Sequence, residues 1–192
     1  MAPTRILIAE DEAIIRLDLK ETLEEEGYEV VGAVGRGDEA VALVRELSPD
    51  LAILDIKMPG MDGITAAKEI AGNRRAAVLI LTAFSQRDLV EQATAAGAIG
   101  YLVKPFQKSD LIPAIEVAMA RFRDVKALEA QVETAKEQLT TRRIVERAKG
   151  VLMDRHQMSE ADAFTFIQQT AMRERCKMRE IAERVLDGSL TP

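Results

Sequence analysis

Cysteine and histidine are almost absent from this chain. Its 192 residues contain one of each, Cys176 and His156. An intramolecular disulfide and a multi-cysteine zinc site are therefore excluded. A Ser-His-Asp triad survives only with His156 as its base. Tryptophan is missing and aromatics amount to 4%. No apolar run approaches the ~18 residues of a membrane span, and the start has no signal-peptide core. A soluble, cytoplasmic protein without a membrane partner is expected. A basic excess is lacking too: the formal net charge is −6 and the pI about 5.1. That argues against a protein that binds nucleic acid through overall positive charge. The balance is uneven, however. Residues 1–139 hold 16 Lys and Arg against 24 Asp and Glu, and residues 140–192 hold 10 against 8.

What is present is enough to build a core: 47% of residues are hydrophobic, and the 30% that are charged are mixed in sign. Short apolar runs recur at 6–9, 30–34, 51–54, 78–81 and 99–103. Between them lie stretches with helical patterning at 13–26, 38–47, 63–71, 87–96 and from 110 onward. Strands that are continuously apolar rather than alternating are buried on both faces, as in a parallel sheet covered by helices. Five such units predict an α/β fold with a doubly wound, five-stranded parallel sheet. Glycine and proline bound the runs closely, which opposes reading them as five buried helix segments.

From Leu111 the pattern changes. Leu111, Ile115, Ala118, Phe122, Val125, Leu128, Val132, Ala135 and Leu139 follow spacings of 4, 3, 4, 3, 3, 4, 3 and 4. This is a heptad seam with one three-residue step at Val125–Leu128. Pro113 falls in the first turn, where proline is tolerated. The seam suits a partner helix. It equally suits a helix whose first half covers the sheet and whose second half packs on the tail.

The tail predicts three further helices. The first, 142–154, turns Ile144, Val145, Ala148, Val151 and Leu152 inward. Ser159 caps the second, with Asp162 bonding back as in a capping box. That helix places Ala163, Phe164, Ile167 and Ala171 at helical spacing. The third, 178–186, uses Met178, Ile181, Ala182 and Val185 and stops at Asp187-Gly188. The expected division is an α/β domain over 1–122, a helical linker over 123–139 and a small three-helix bundle over 140–192. Gly150 inside a helix costs about 1 kcal/mol relative to alanine, which implies a close helix approach or a ligand.

Chemistry gathers where the strands end. Glu10 and Asp11 follow the first run, Asp55 the third and Lys104-Pro105 the fifth, while Thr82 closes the fourth. In a doubly wound sheet these ends meet at one crevice. Converging carboxylates repel unless a hard divalent cation neutralises them, and Mg²⁺ is the natural choice. Thr82 and Lys104 then suit the oxygens of a phosphoryl group on Asp55. Asp55 alone reads as a solvated loop acid, Thr82 as a strand cap and Lys104 as a surface lysine; the constellation is what reverses this. Gly32, Gly35 and Gly37 lack the dinucleotide spacing and any Gly-Lys-Ser/Thr ending, and read as a βα turn.

The runs Ile6-Leu7-Ile8-Ala9-Glu10-Asp11-Glu12, Leu54-Asp55-Ile56-Lys57-Met58-Pro59-Gly60-Met61-Asp62-Gly63, Leu81-Thr82-Ala83 and Gly100-Tyr101-Leu102-Val103-Lys104-Pro105-Phe106 resemble the receiver domain of two-component response regulators. The resemblance covers residues 5 to about 122 and implies a flavodoxin-like fold. It implies Asp55 as phosphoacceptor, Glu10 and Asp11 as the acidic pair, and Mg²⁺ on Asp11, Asp55 and the Lys57 carbonyl. It also implies phosphoryl contacts from Thr82 and Lys104, Tyr101 as a rotating switch, and a sensor histidine kinase as donor. Glu10 stands where many members have Asp, a longer arm expected to reach metal through water. Haloacid-dehalogenase-type hydrolases share the aspartyl-phosphate chemistry but carry a second Asp where this chain has Lys57. An enzyme acting on external phosphate esters is therefore not expected.

The tail resembles the ANTAR domain, an RNA-binding antitermination module. The matching residues are Arg142, Val145, Ala148-Lys149-Gly150-Val151-Leu152-Met153, Ser159, Ala163-Phe164, Ala171 and Ile181-Ala182. Gln168 stands where the family often has Arg. His156 is expected to be structural. The resemblance implies stem-loop RNA in nascent transcripts as target and antitermination as output. Phosphorylation is expected to gate this, with either homodimerisation or release of the tail exposing its basic surface. Candidate RNA contacts are Arg142, Arg143, Arg147, Lys149 and Arg155, then Arg173, Arg175, Lys177 and Arg179. The alternatives are a duplex-DNA reader, disfavoured by the Met178-Arg179-Glu180 start of the third helix, and a protein-docking tail. Without the resemblance, these arginines would read as the solvated face of a bundle.

Overall fold

The computed structural model describes residues 2–73, 75–83 and 87–192, apart from the Arg87 side chain. Five strands, β1 (Arg5–Ala9), β2 (Glu29–Val34), β3 (Leu51–Asp55), β4 (Ala77–Thr82) and β5 (Gly100–Val103), form one parallel sheet in the order β2-β1-β3-β4-β5. Helices α1 (Ala13–Glu25), α2 (Gly37–Leu47), α3 (Gly63–Gly72) and α4 (Arg87–Ala95) alternate with them. They are followed by α5 (Lys108–His156), α6 (Glu160–Glu174) and α7 (Met178–Leu186).

The apolar strands bury both faces. Ile6, Ile8, Ile53, Leu79 and Leu81 pack with Leu19 and Leu23 of α1 and with Leu111, Ile115, Ala118 and Phe122 of α5. Their neighbours Leu7, Ala9, Leu54, Val78 and Ile80 face α2, α3 and α4 on the other side. The period-two alternation of side chains splits each apolar run between two cores. Burial of each large aliphatic side chain contributes about 1.5–3 kcal/mol. The strand order reverses direction between β1 and β3, so the crevice at the carboxyl ends of these strands is the expected place for a ligand.

Residues 1–126 and 127–192 form two compact units. In the second, Val145, Ala148 and Leu152 of α5 close a core with Ala163, Ile167 and Ala171 of α6 and Ile181, Ala182 and Val185 of α7.

Two local expectations change and one holds. The first tail helix is not separate: α5 runs unbroken through Thr140 and Thr141, because neither breaks a helix and the Thr140 hydroxyl bonds back to the Lys136 carbonyl at 2.9 Å. The same helix starts at Lys108, with the Asp110 carboxylate accepting from the Gln107 N–H at 3.0 Å. Pro113 therefore lies in the second turn and withholds one N–H from the ladder. At α6, the Ser159 hydroxyl accepts from the Asp162 N–H at 3.1 Å, as expected. The Asp162 carboxylate accepts from that hydroxyl at 2.6 Å.

The seam of α5 divides in two. Leu111, Ile115, Ala118 and Phe122 are buried in the α/β core, whereas Val125, Leu128, Val132 and Leu139 are 38–60% exposed. The first half covers the sheet; the second half leaves its seam residues largely open to solvent.

Candidate functional site

At the carboxyl ends of β1, β3 and β5, four side chains converge from distant parts of the chain. Glu10 follows β1 and is fully buried; Asp55 ends β3 and is 6% exposed. The Lys104 ammonium, just past β5, lies 2.6 Å from Glu10 Oε2 and 3.0 Å from Asp55 Oδ1. Asp11 is exposed at the rim, and oxygens of Glu10, Asp11 and Asp55 all lie within 4.8 Å of one another. Three carboxylates against one ammonium leave two negative charges, which a hard divalent cation offsets.

The backbone holds these groups in place. The Lys57 N–H donates to Asp55 Oδ2 at 3.2 Å, and the Glu12 N–H to Glu10 Oε1 at 3.3 Å. The Lys104 N–H donates to the Thr82 carbonyl at 2.7 Å, tying the ends of β4 and β5 together. Thr82 is buried, one residue beyond Leu81, the register partner of Asp55. At Gly63 a Cβ would collide with the Asp55 carbonyl oxygen, so the β3–α3 loop closes on the site only with glycine there. Asp62 caps α3 by accepting from the Thr65 N–H at 2.9 Å. A cleft of about 830 Å³ opens beside Asp11, Lys57, Pro59 and Thr65.

Burial pushes the Glu10 carboxyl above its usual pKa, with the Lys104 hydrogen bond pulling the other way. Burial alone would lower Lys104, but its bonds to Glu10 and Asp55 win and hold the ammonium above the ordinary lysine value. Lys104 is thus a fixed positive charge at neutral pH, poised against the Asp55 oxygens. Arg16 was not singled out from the sequence, yet its guanidinium donates to the Glu10 carbonyl. The signal available was an arginine one turn into α1. Tyr101 stands apart from this cluster: it is half-exposed on β5, opposite Ile80, and lines a groove of about 720 Å³ with Ala93, Thr94, Pro113 and Val117.

In the second unit the nine candidate cations do not share one environment. Arg143, Arg147 and Arg155 are exposed on α5. Lys149 is 7% exposed, with its ammonium 2.7 Å from Glu160 and 2.9 Å from Glu146. Those bonds raise its pKa, Glu160 contributing most. Lys149 therefore clips α5 to α6, and its charge is already matched. Arg179 is paired with Glu183 at 2.7 Å, and Arg173 approaches Glu174 at 3.9 Å. Arg175 is the left-handed C-cap of α6, and Lys177 the N-cap of α7. Arg142 lines a groove of about 610 Å³ with Glu137, Val145, Met178 and Phe164.

Phe164, expected among the inward residues, is 41% exposed. The buried stripe of α6 is Ala163, Ile167, Thr170 and Ala171, and Phe164 sits at its edge, about 75° from its centre. Gly150 is not a close-packing site either: outside its chain neighbours and the surrounding helix backbone, no described atom lies within 4 Å of where its Cβ would be. His156 ends α5, exposed to solvent.

Residues 6–116 match the response regulator receiver domain, and residues 133–186 match the ANTAR domain. This chain is a response regulator of the ANTAR type. Over 190 residues, 99% of its length, it is 60% identical to the transcriptional regulatory protein PdtaR of Mycobacterium tuberculosis, spanning 93% of that protein. The receiver alone is 42% identical over 112 residues to the chemotaxis protein CheY of Thermotoga maritima, covering 58% of this chain and 93% of that one. Among solved structures, the receiver domain of NarL from Mycobacterium tuberculosis aligns with a TM-score of 0.60 at 29% identity, covering 62% of this chain and 98% of that one. CheY in a CheX-CheY-BeF3-Mg complex from Borrelia burgdorferi aligns with a TM-score of 0.56 at 28% identity, covering 59% and 87%. No helix among the described residues is long and apolar enough to cross a membrane.

Proposed function

We propose that this response regulator is a phosphorylation-controlled, RNA-binding transcription antiterminator of the cytoplasm. A sensor histidine kinase is the donor, Asp55 the acceptor, and stem-loop RNA in nascent transcripts the target. The working division is a receiver over 1–122, a helical linker over 123–139 and an RNA-binding bundle over 140–192. The reading rests above all on the Lys104 ammonium bridging Glu10 and Asp55 inside a nearly buried acid cluster.

The chemistry follows from that arrangement. An Asp55 carboxylate oxygen attacks the phosphorus of a phosphohistidine. The O–P bond forms as the N–P bond breaks, and the imidazole keeps the electron pair. Phosphoryl transfer is mostly positioning and charge neutralisation. Lys104 moves from the Asp55 carboxylate to the incoming phosphoryl oxygens, and the Thr82 hydroxyl donates to another. Asp11, Asp55 and the Lys57 carbonyl are the proposed Mg²⁺ ligands, with Glu10 reaching it through water. Bound there, Mg²⁺ would supply the charge that lets a phosphoryl group enter an acidic pocket. No second carboxylate stands where a hydrolase would need its general acid, since that position is Lys57. Turnover of external phosphate esters is therefore not part of the proposal.

Loss of the Lys104–Asp55 pair and engagement of Thr82 shift the β4–β5 face that carries Tyr101, and with it the pairing of α5. Homodimerisation through the exposed seam from Val125 to Leu139 is the proposed output step. The test is a gel shift on stem-loop RNA with and without a small-molecule phosphodonor and Mg²⁺. Affinity that rises on phosphorylation is expected; no affinity in either state contradicts the proposal.

A further inference from the structure

Gly150 lies well inside α5, where glycine costs about 1 kcal/mol relative to alanine, and the structure offers no internal reason for it. Gly32, Gly37 and Gly63 leave no room for a Cβ, and Gly27, Gly60, Gly97 and Gly188 have positive φ. Gly72 also has open space but is the last residue of α3. Gly150 has helical backbone, and beyond its chain neighbours and the surrounding helix backbone no described atom lies within 4 Å of a built Cβ. The core-facing residues Val145, Ala148 and Leu152 lie on the opposite side of the helix.

The face around Gly150 carries two guanidinium groups. At about 100° and 1.5 Å per residue, Arg147 lies one turn and Arg143 two turns toward the N-terminus on the same side. Both are exposed, with no hydrogen bond or ion pair among the described residues. Glu146 on this face shares the Lys149 ammonium with Glu160, and Asp154 is the acid at its far edge.

We infer that Gly150 is the point where the sugar–phosphate backbone of RNA lies directly against helix α5, held by Arg143 and Arg147. Removal of the side chain lets a polyanion reach the helix surface between two guanidinium groups, so that phosphate contacts are not kept at arm's length. A second copy of the chain is the poorer occupant. Antiparallel pairing centred on Gly150 sets Glu146 of one copy against Asp154 of the other, and parallel pairing sets Arg143 and Arg147 against themselves. This inference rests on the RNA-binding reading of the tail and places a specific contact within it.

The test uses the full-length chain, wild type, Gly150→Ala and Gly150→Leu. Binding is read by fluorescence anisotropy on a labelled pool of hairpin RNAs with randomised loops, with and without beryllofluoride and Mg²⁺. Thermal melting and sedimentation are measured in parallel. Gly150→Leu is expected to weaken binding by about tenfold or more, and Gly150→Ala by less, while Gly150→Ala melts above wild type because alanine favours the helix. Should the leucine variant fail to fold, the combination of higher melting temperature and weaker binding in the alanine variant decides. Equal RNA affinity of wild type and folded variants overturns the inference and leaves RNA binding standing. A change in self-association without a change in RNA affinity overturns it in favour of a second copy. A wild type that binds no RNA in either state overturns the RNA reading itself, and this inference with it.

Discussion

The two units of this response regulator handle charge in opposite ways. In the receiver, Glu10, Asp55 and Lys104 come from three strand ends and are nearly buried, with one ammonium shared by two carboxylates at 2.6 and 3.0 Å. In the tail, Arg143, Arg147 and Arg155 are strung along a single helix and point into solvent. A buried constellation is worth keeping only if every charge has a partner or acquires one. An exposed row of arginines costs little and waits for a polyanion. On the proposed function, the first is a site that changes its charge and the second a surface that meets a polyanion.

The largest effect expected from this contrast is at Asp55. Asp55→Ala should abolish phosphoryl incorporation from a phosphodonor, read by intact-protein mass spectrometry, while the tail keeps its fold by circular dichroism. Incorporation that survives the substitution would place the acceptor elsewhere.

The two halves of the α5 seam come next. Ile115→Ala, in the buried half, should cost about 2–5 kcal/mol in urea denaturation. Leu128→Ala, in the exposed half, should stay within about 0.5 kcal/mol for a monomer at low concentration. A large loss at Leu128 under those conditions would mean that the second half is already covered.

A smaller effect tests the cap at the edge of the acidic site. Asp62→Ala should cost about 1 kcal/mol at neutral pH. Burial opposes the charged form, but hydrogen bonds from Thr65 hold the Asp62 pKa below its ordinary 3.8. The contribution is therefore complete above the unfolded value and fades as pH falls through the lower folded one. Urea midpoints of wild type and variant should converge in strong acid; a gap that persists there would mean the cap does not depend on charge.

The smallest effect distinguishes free from matched cations in the tail. Arg147→Ala should flatten the dependence of log affinity on log salt by about 0.7, one phosphate contact on single-stranded RNA. Lys149→Gln should leave that slope nearly unchanged, since its ammonium already serves Glu146 and Glu160.

Much of the receiver was legible because its signals are one-dimensional. Continuous apolar runs such as Leu51–Leu54 mark strands buried on both faces, and topology then brings their ends together, so Glu10, Asp11, Asp55 and Lys104 group from the sequence alone. The tail was harder for physical reasons. Apolar spacing identified Val145, Ala148, Ile167 and Ile181, yet Phe164 is as apolar as they are and lies beside the stripe rather than in it. Lys149 resembled its neighbouring arginines until Glu160, eleven residues away, came into reach. The change of pattern near residue 140 suggests a new helix, but α5 is continuous there and the Thr140 hydroxyl bonds within it. Each miss turns on a side chain's direction, which periodicity constrains only to within a fraction of a turn.

The link between the two units is the central claim, and sequencing the RNA that co-purifies with wild type and with Asp55→Ala, both after exposure to a phosphodonor, tests it most directly. Enrichment of stem-loops with wild type alone is the expected result. Equal enrichment with both proteins would contradict phosphorylation control at Asp55.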